Sequence, residues 1–273
     1  MLAKRLVNYL PTSAQKGITA AWRKIRGNPE LHVLEILSDP TTLAIDVGAN
    51  AGDYAHWLAR HSKGCIAFEP NPELARLVEH KYAATGVRVF AYALSDHSGH
   101  ATLRVPVIDG QECSALATIE PANSVGDNPT REVVVPLHRL DDLELETVGV
   151  IKIDAEGHEL AVLGGAHDLI ARDRPNVMIE VEDRHRPGSL AAVRSFFDER
   201  DYEGFFLVGR RIAPIAQFDP ALHQDPSWVV HDRVAIDKNY VNTFIFTASP
   251  HLATRLGGIA RSKTSLTPNP PGL

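Results

Sequence analysis

Apolar residues come along this chain in two kinds of block: short unbroken runs, and longer stretches in which they recur every three or four positions. Unbroken runs suit strands buried on both faces, and the longer period marks one face of a helix. Leu43-Ala44-Ile45 with Val47 and Cys65 to Phe68 are runs of the first kind, as are Val148 to Ile153, interrupted by Lys152, and Val177 to Val181, interrupted by Glu180. Val87, Val89, Ala91 and Ala93 alternate toward Leu94 and predict a further strand. Tyr54, Leu58 and Ala59 keep helical spacing, as do Leu74, Leu77, Val78 and Tyr82; Leu160, Leu163, Leu169 and Ile170; and Leu190, Val193, Phe196 and Phe197. Strands alternating with helices in this way predict an α/β fold, a doubly wound Rossmann-like sheet with helices on both faces. Phe205 to Val208 and Val241 to Thr247 read as the last two strands, and the irregular segment between them suits an antiparallel edge.

Breaker residues divide the chain. Asp39-Pro40 closes a helical N-terminal extension, residues 1–39, in which Leu2, Leu6, Val7 and Leu10 share one helical face before Pro11. The main domain spans residues 40–248, and the tail at 249–273, with Pro268, Pro270 and Pro271, is expected to be disordered. Within the domain, Leu103 and Val105 alternate with Thr102 and Arg104 as a short extra strand, and Val133 to Val135 form another. Residues 109–130 between them are small, polar and turn-forming; a loop this long reads as a lid over a substrate.

The stretch from Leu43 to Trp57 carries the first chemical signal. A buried strand runs into Asp46-Val47-Gly48-Ala49-Asn50-Ala51-Gly52, and a helix follows. Such a turn lets a ligand approach the backbone and aims the free amides of the helix start at it. A dinucleotide fingerprint needs Gly-x-Gly-x-x-Gly, and only two of those three glycines are here, beside an aspartate at the strand tip. That tip suits a ligand with an ammonium group and no phosphate, such as S-adenosylmethionine. The next strand ends in Glu69, about twenty residues after the first glycine, where such folds place the carboxylate that holds two ribose hydroxyls. Ser95 and Asp96, at the third strand tip, border the same crevice and can frame an adenine; Asp96 equally suits a surface turn bonding its own backbone. Asp46, Gly48, Asn50, Gly52, Glu69, Ser95 and Asp96 are therefore the candidate cofactor-binding residues.

Val148 to Gly157 repeats the logic of the first strand, and it brings Asp154 and Glu156 to the other side of the crevice. Lys152 inside that run must reach an edge or pair with an acid, because an unpaired buried ammonium is costly.

Composition narrows the partners. The 273 residues suffice for one large domain with extensions. A net charge of -6 with no long basic run argues against nucleic acid. Cys65 and Cys113 have neither metal-ligand spacing nor a disulfide framework, so a cytoplasmic location is expected. No run is long enough for an integral membrane segment.

Taken together, Ile45 to Tyr54, Phe68 to Pro72, Ala93 to Asp96 with Gly99, Leu140-Asp141, Ile151 to Gly157 with Glu159 and Leu163, Gly165-Ala166, and Pro175 with Glu180 resemble the FkbM-type S-adenosylmethionine-dependent methyltransferases. The likeness covers roughly residues 40–183 and weakens toward 245. It implies a seven-stranded, mostly parallel sheet with one antiparallel strand. It also implies O-methylation of a hydroxyl on a small molecule, natural product or glycan. His158 departs from the family, which more often has a small apolar residue there.

An alcohol acceptor must lose its proton. Asp154, Glu156 and His158 are the candidate catalytic residues, with Glu180 and His185 behind them, since acids crowded at adjacent strand tips raise one another's pKa. No metal is expected, although Asp154, Glu180, Glu182 and His185 offer an alternative divalent-ion set. Two other readings stay open: a non-catalytic protein that keeps the glycine turn, and an NAD-dependent dehydrogenase that shares the need for Glu69.

Overall fold

The computed structural model describes residues 28–123, 128–230, 233–234 and 240–261. In chain order its elements are α1 (Pro29–Leu37), β1 (Leu43–Val47), α2 (Asp53–His61), β2 (Gly64–Phe68), α3 (Pro72–Tyr82), β3 (Val87–Phe90), β4 (Ala93–Leu94), β5 (Gly99–Ile108), β6 (Gln111–Glu112) and β7 (Thr130–His138). The second half contains β8 (Val148–Ile153), α4 (Glu159–Gly164), α5 (His167–Asp173), β9 (Asn176–Glu180), α6 (Ser189–Asp198), β10 (Glu203–Val208), β11 (Arg211–Pro214), α7 (Pro220–His223), β12 (Val229–Val230), β13 (Arg233–Val234), β14 (Thr243–Thr247) and α8 (Pro250–Arg261).

The main sheet has eight strands in the order β11-β10-β14-β9-β8-β1-β2-β3. The five from β9 to β3 are parallel, β14 inserts antiparallel between β9 and β10, and β11 adds an antiparallel edge. The α/β doubly wound fold is as expected, with one strand more than seven and two against the main direction. The extra strand, β11, closes a hairpin on β10 through Gly209, which has φ +58°.

Alternation along β1 sorts the core. Leu43, Ile45 and Val47 face a layer with α4, α5 and α6, whereas Ala44 faces Leu31 and Leu34 of α1, Leu58 of α2 and Leu256 of α8. On α3 the buried positions are Ala75, Val78 and Tyr82, and Leu77, expected in the core, is exposed. The helix expected after His158 is broken at Gly165, where a Cβ would lie 1.9 Å from the Ser95 carbonyl oxygen.

The C-terminal flank of the domain differs from expectation, and the described N-terminal flank does not. The described part of the N-terminal extension is α1, whose buried Leu31, Val33, Leu34 and Leu37 make it part of the core. The tail expected to be disordered from 249 instead forms α8, with Ala253 and Leu256 buried; residues 262–273 and the first expected helix lie outside the described residues. Asn176 joins the two flanks: its amide donates to the Leu37 carbonyl at 2.8 Å and accepts from the Thr247 hydroxyl at 2.7 Å.

The third predicted strand is split. β3 stays in the main sheet, and β4 crosses to a second sheet ordered β4-β7-β5-β6, in which β5 and β7 pair from Gly99–Leu137 to Pro106–Thr130. The segment after β6 returns across this sheet through a bridge between Arg104 and Thr118.

Candidate active site

Strand order reverses at β1, which has β2 on one side and β8 on the other, and a crevice opens at their C-terminal ends. A cleft that opens to solvent lies there, lined by residues of both halves of the sheet. Gly48, Asn50, Phe68 and Glu69 line one side, Asp154, Glu156 and His158 another, together with Leu103 of the second sheet and Ser114, Ala117 and Ile119 of the segment after β6.

The amides of the glycine turn bond within the protein. The Gly48 and Ala49 amides both donate to the Phe68 carbonyl, at 2.9 and 3.1 Å, and the Gly52 amide donates to Ala49 at 2.8 Å. The Asn50 amide donates to the Glu69 carboxylate at 2.7 Å. These amides are engaged within the protein, so the turn is no cradle for phosphate. Gly48, at φ +75°, lets β1 meet β8: a Cβ there would stand 1.9 Å from the Asp154 carbonyl oxygen. Gly52 is away from the cleft, and its missing Cβ makes room for Val78 and Tyr82 of α3.

Glu69 is fixed at the cleft by two amides, Asn50 on one carboxylate oxygen and Asn71 at 2.8 Å on the other. Burial pushes its carboxyl up to about 7 despite those donors. Each oxygen keeps a second lone pair for a hydroxyl. Asp46, by contrast, is fully buried beneath the cleft. Burial pushes its pKa up to about 6, with Lys152 pulling it down and Asp154 adding to the rise.

Lys152 stands opposite Asp46 in the β1–β8 register. Its ammonium lies 2.9 Å from Asp154, 3.9 Å from Glu180 and 4.6 Å above the Tyr54 ring. Burial works against its charge, but Asp154, Glu180 and Asp46 outweigh it and hold the pKa above the ordinary lysine range. The lysine inside the apolar run is thus a paired, buried cation. Among the described residues, no group of three or more His, Cys, Asp and Glu side chains is arranged to hold a metal ion.

The β8 end is a tightly held loop. Glu156 has φ +48°, and its carbonyl accepts from the Thr118 hydroxyl at 2.7 Å and the Asn123 amide at 2.8 Å. Burial first, then the charges of Asp154, Glu182 and Glu159, raise its carboxyl well above the usual range, with Arg184 opposing. His185 lies 3.6 Å from that carboxylate. Glu159, at the start of α4, reaches back to the amides of Ala155 and Gly157 at 3.2 and 2.9 Å, and burial pushes it up to about 7.

His158 has protein partners at both ring nitrogens: the buried Ser95 hydroxyl at 3.0 Å and the Glu120 carboxylate at 3.3 Å. Burial lowers its pKa against the pull of Glu120. Ser95 therefore acts behind the wall. Asp96 is exposed and pairs with His97 at 2.6 Å, which holds its carboxyl below the ordinary range. The cleft thus gathers Gly48, Asn50, Glu69, Asp154, Glu156 and His158, while Asp46 and Ser95 lie behind it and Gly52 and Asp96 outside it. Sequence reasoning missed Thr118, Glu120 and Asn123. They sit in the polar segment read as a lid, where no periodicity singles out any residue.

Residues 46–203 match the family model described as the methyltransferase FkbM domain. A hexuronic acid methyltransferase, AglP of Haloferax volcanii, is 30% identical over 216 residues, covering 74% of this chain and 86% of that protein. The antimetabolite synthetase AmbE of Pseudomonas aeruginosa is 27% identical over 192 residues, which are 57% of this chain and 9% of that protein. Among solved structures, a methyltransferase FkbM from Methylobacillus flagellatus is 17% identical with a TM-score of 0.47, covering 80% of this chain and 50% of that one. With more than half of its length matched by the family model, and with a 30% identical relative over 74% of it, this chain belongs to the FkbM methyltransferase family.

Proposed function

We propose that the chain is an S-adenosylmethionine-dependent O-methyltransferase whose acceptor is a hydroxyl of a sugar or sugar-bearing small molecule. The observation that carries this reading is the Glu156 carboxyl, set in the cleft wall with its pKa raised by burial and by neighbouring acids. A carboxylate is a weak base at its ordinary pKa, and a raised one is matched to taking a hydroxyl proton near neutrality. The sugar assignment rests on the printed activity of the Haloferax relative.

The residues present fit the donor. Glu69 has acceptor lone pairs directed by two amides, which suits a ribose diol, and Asp154 offers negative charge to an ammonium group. When bound, the donor supplies an electrophilic methyl group on a sulfonium. The chain's own part is to hold the acceptor oxygen close, to keep water out with the 114–119 segment, and to take the proton at the Glu156 carboxylate. His158, with both nitrogens engaged, shapes the wall between Ser95 and Glu120. The engaged turn amides disfavour the dehydrogenase, because a pyrophosphate needs free donors there.

Calorimetry with S-adenosylmethionine and a labelled-methyl assay over neutral sugars and hexuronic acids test this. Glu69→Gln is expected to weaken donor binding about 10- to 100-fold, the range for a hydrogen bond to a charged group. Glu156→Gln should bind the donor normally and lose about 100-fold or more in kcat. Binding of a nicotinamide dinucleotide without binding of S-adenosylmethionine would overturn the proposal.

A further inference from the structure

We propose that Thr118 and Asn123 are positioning residues that hold Glu156 toward the acceptor, so that the segment covering the cleft also sets the base. The inference rests on the reading of Glu156 as the base. A residue with a Cβ takes a left-handed backbone only where its surroundings impose it, and at Glu156 the imposition is visible. The Glu156 carbonyl has two lone pairs, and the Thr118 hydroxyl and Asn123 amide fill both, at 2.7 and 2.8 Å. Thr118 and Asn123 are 1% and 5% exposed, so water does not compete for these bonds.

Both donors belong to the stretch that begins with the cleft-lining Ser114, Ala117 and Ile119. The stretch is anchored in turn: Arg104 donates to the carbonyls of Glu120 and Asn123 at 2.6 and 2.9 Å, and Glu120 reaches His158. Gly157 leaves room for the segment, since a Cβ there would meet Glu120 at 3.3 Å. Glu156 and His158 are each held by the covering segment, and a shift of that segment moves the carboxylate.

The test compares Thr118→Val, Asn123→Leu, the double variant, Thr118→Ser and Glu156→Gln in donor calorimetry, acceptor kinetics across pH, and thermal melting. Donor affinity should stay within about 3-fold of wild type. kcat should fall about 10- to 100-fold in the double variant, the scale of a misplaced reacting group, and Thr118→Ser should restore the loss seen in Thr118→Val. The acid limb of the kcat profile should move to lower pH. A released Glu156 reaches water and loses the burial that, with the charges of Asp154, Glu182 and Glu159 against Arg184, raises its pKa. Unchanged kcat in the double variant beside an inactive Glu156→Gln sinks the inference. Parallel loss of melting temperature, donor binding and kcat without a pH shift also sinks it, since the two residues would then be structural only. An active Glu156→Gln removes the underlying reading instead.

Discussion

Asp46 is a carboxyl folded into a place that suits its neutral form. Its pKa in the folded chain is about 6, against 3.8 for an ordinary aspartate, because burial outweighs the attraction of Lys152. The folded state therefore binds the proton more tightly than the unfolded state. Its contribution to stability is full below the unfolded pKa and is lost as pH rises through the folded one. A shift of that size corresponds to a penalty on the order of 3 kcal/mol once the group is ionised. Asp46→Asn is expected to gain on wild type in thermal melts between pH 4 and pH 7; a difference independent of pH would refute the account. At this scale the sequence was informative wherever an acid stood at a strand tip, as with Glu69 and Glu156. It was silent on direction: Asp46 occupies a tip too, but strand alternation turns it to the face beneath the cleft. The need for Gly48 was equally hidden, because its partner is the Asp154 backbone, brought near only by strand pairing.

Among elements, α8 and β11 are the ones that sequence reading left as tail and irregular segment. Both are short or interrupted: Gly257 and Gly258 weaken helical propensity in α8, and Arg211–Pro214 has too few residues for a clear alternation. Their stability comes from each other, since α8 packs on β11 and on the adjoining sheet face through Ala253 and Leu256. Leu256, with no exposed surface, is the sensitive position. Leu256→Ala should destabilise the protein by about 2–4 kcal/mol in denaturant titration. A loss below about 1 kcal/mol would show α8 to be an appendage. The parallel half of the sheet was legible because its runs are long, apolar and bounded by breakers. The second sheet was only partly so: β5 and β7 are half exposed, and the crossing of β4 depends on pairing with a distant strand.

For the whole molecule, the stretch that matches the family, residues 46–203, is smaller than the unit that folds. Cut at those limits, the chain would lose α1, the first three residues of β1, most of β10, and all of β11, β14 and α8. β9 would then present the backbone groups that normally pair with β14 from Thr243–Glu180 to Phe246–Val177. An unpaired apolar edge of that kind templates association between molecules. The excised segment is expected to elute as aggregates in size-exclusion chromatography; a stable monomer with native circular dichroism would contradict this.

The double hydrogen bond of Asn176 gives that boundary a further meaning. One side chain fastens an early helix and the last strand of the sheet, so order in one flank favours order in the other. During synthesis on a ribosome, the part of the domain made before β14 must wait, with β9 open on one side, until the final strand emerges. The interval before β14 arrives is the period in which this chain is most exposed to chaperones and to its own neighbours.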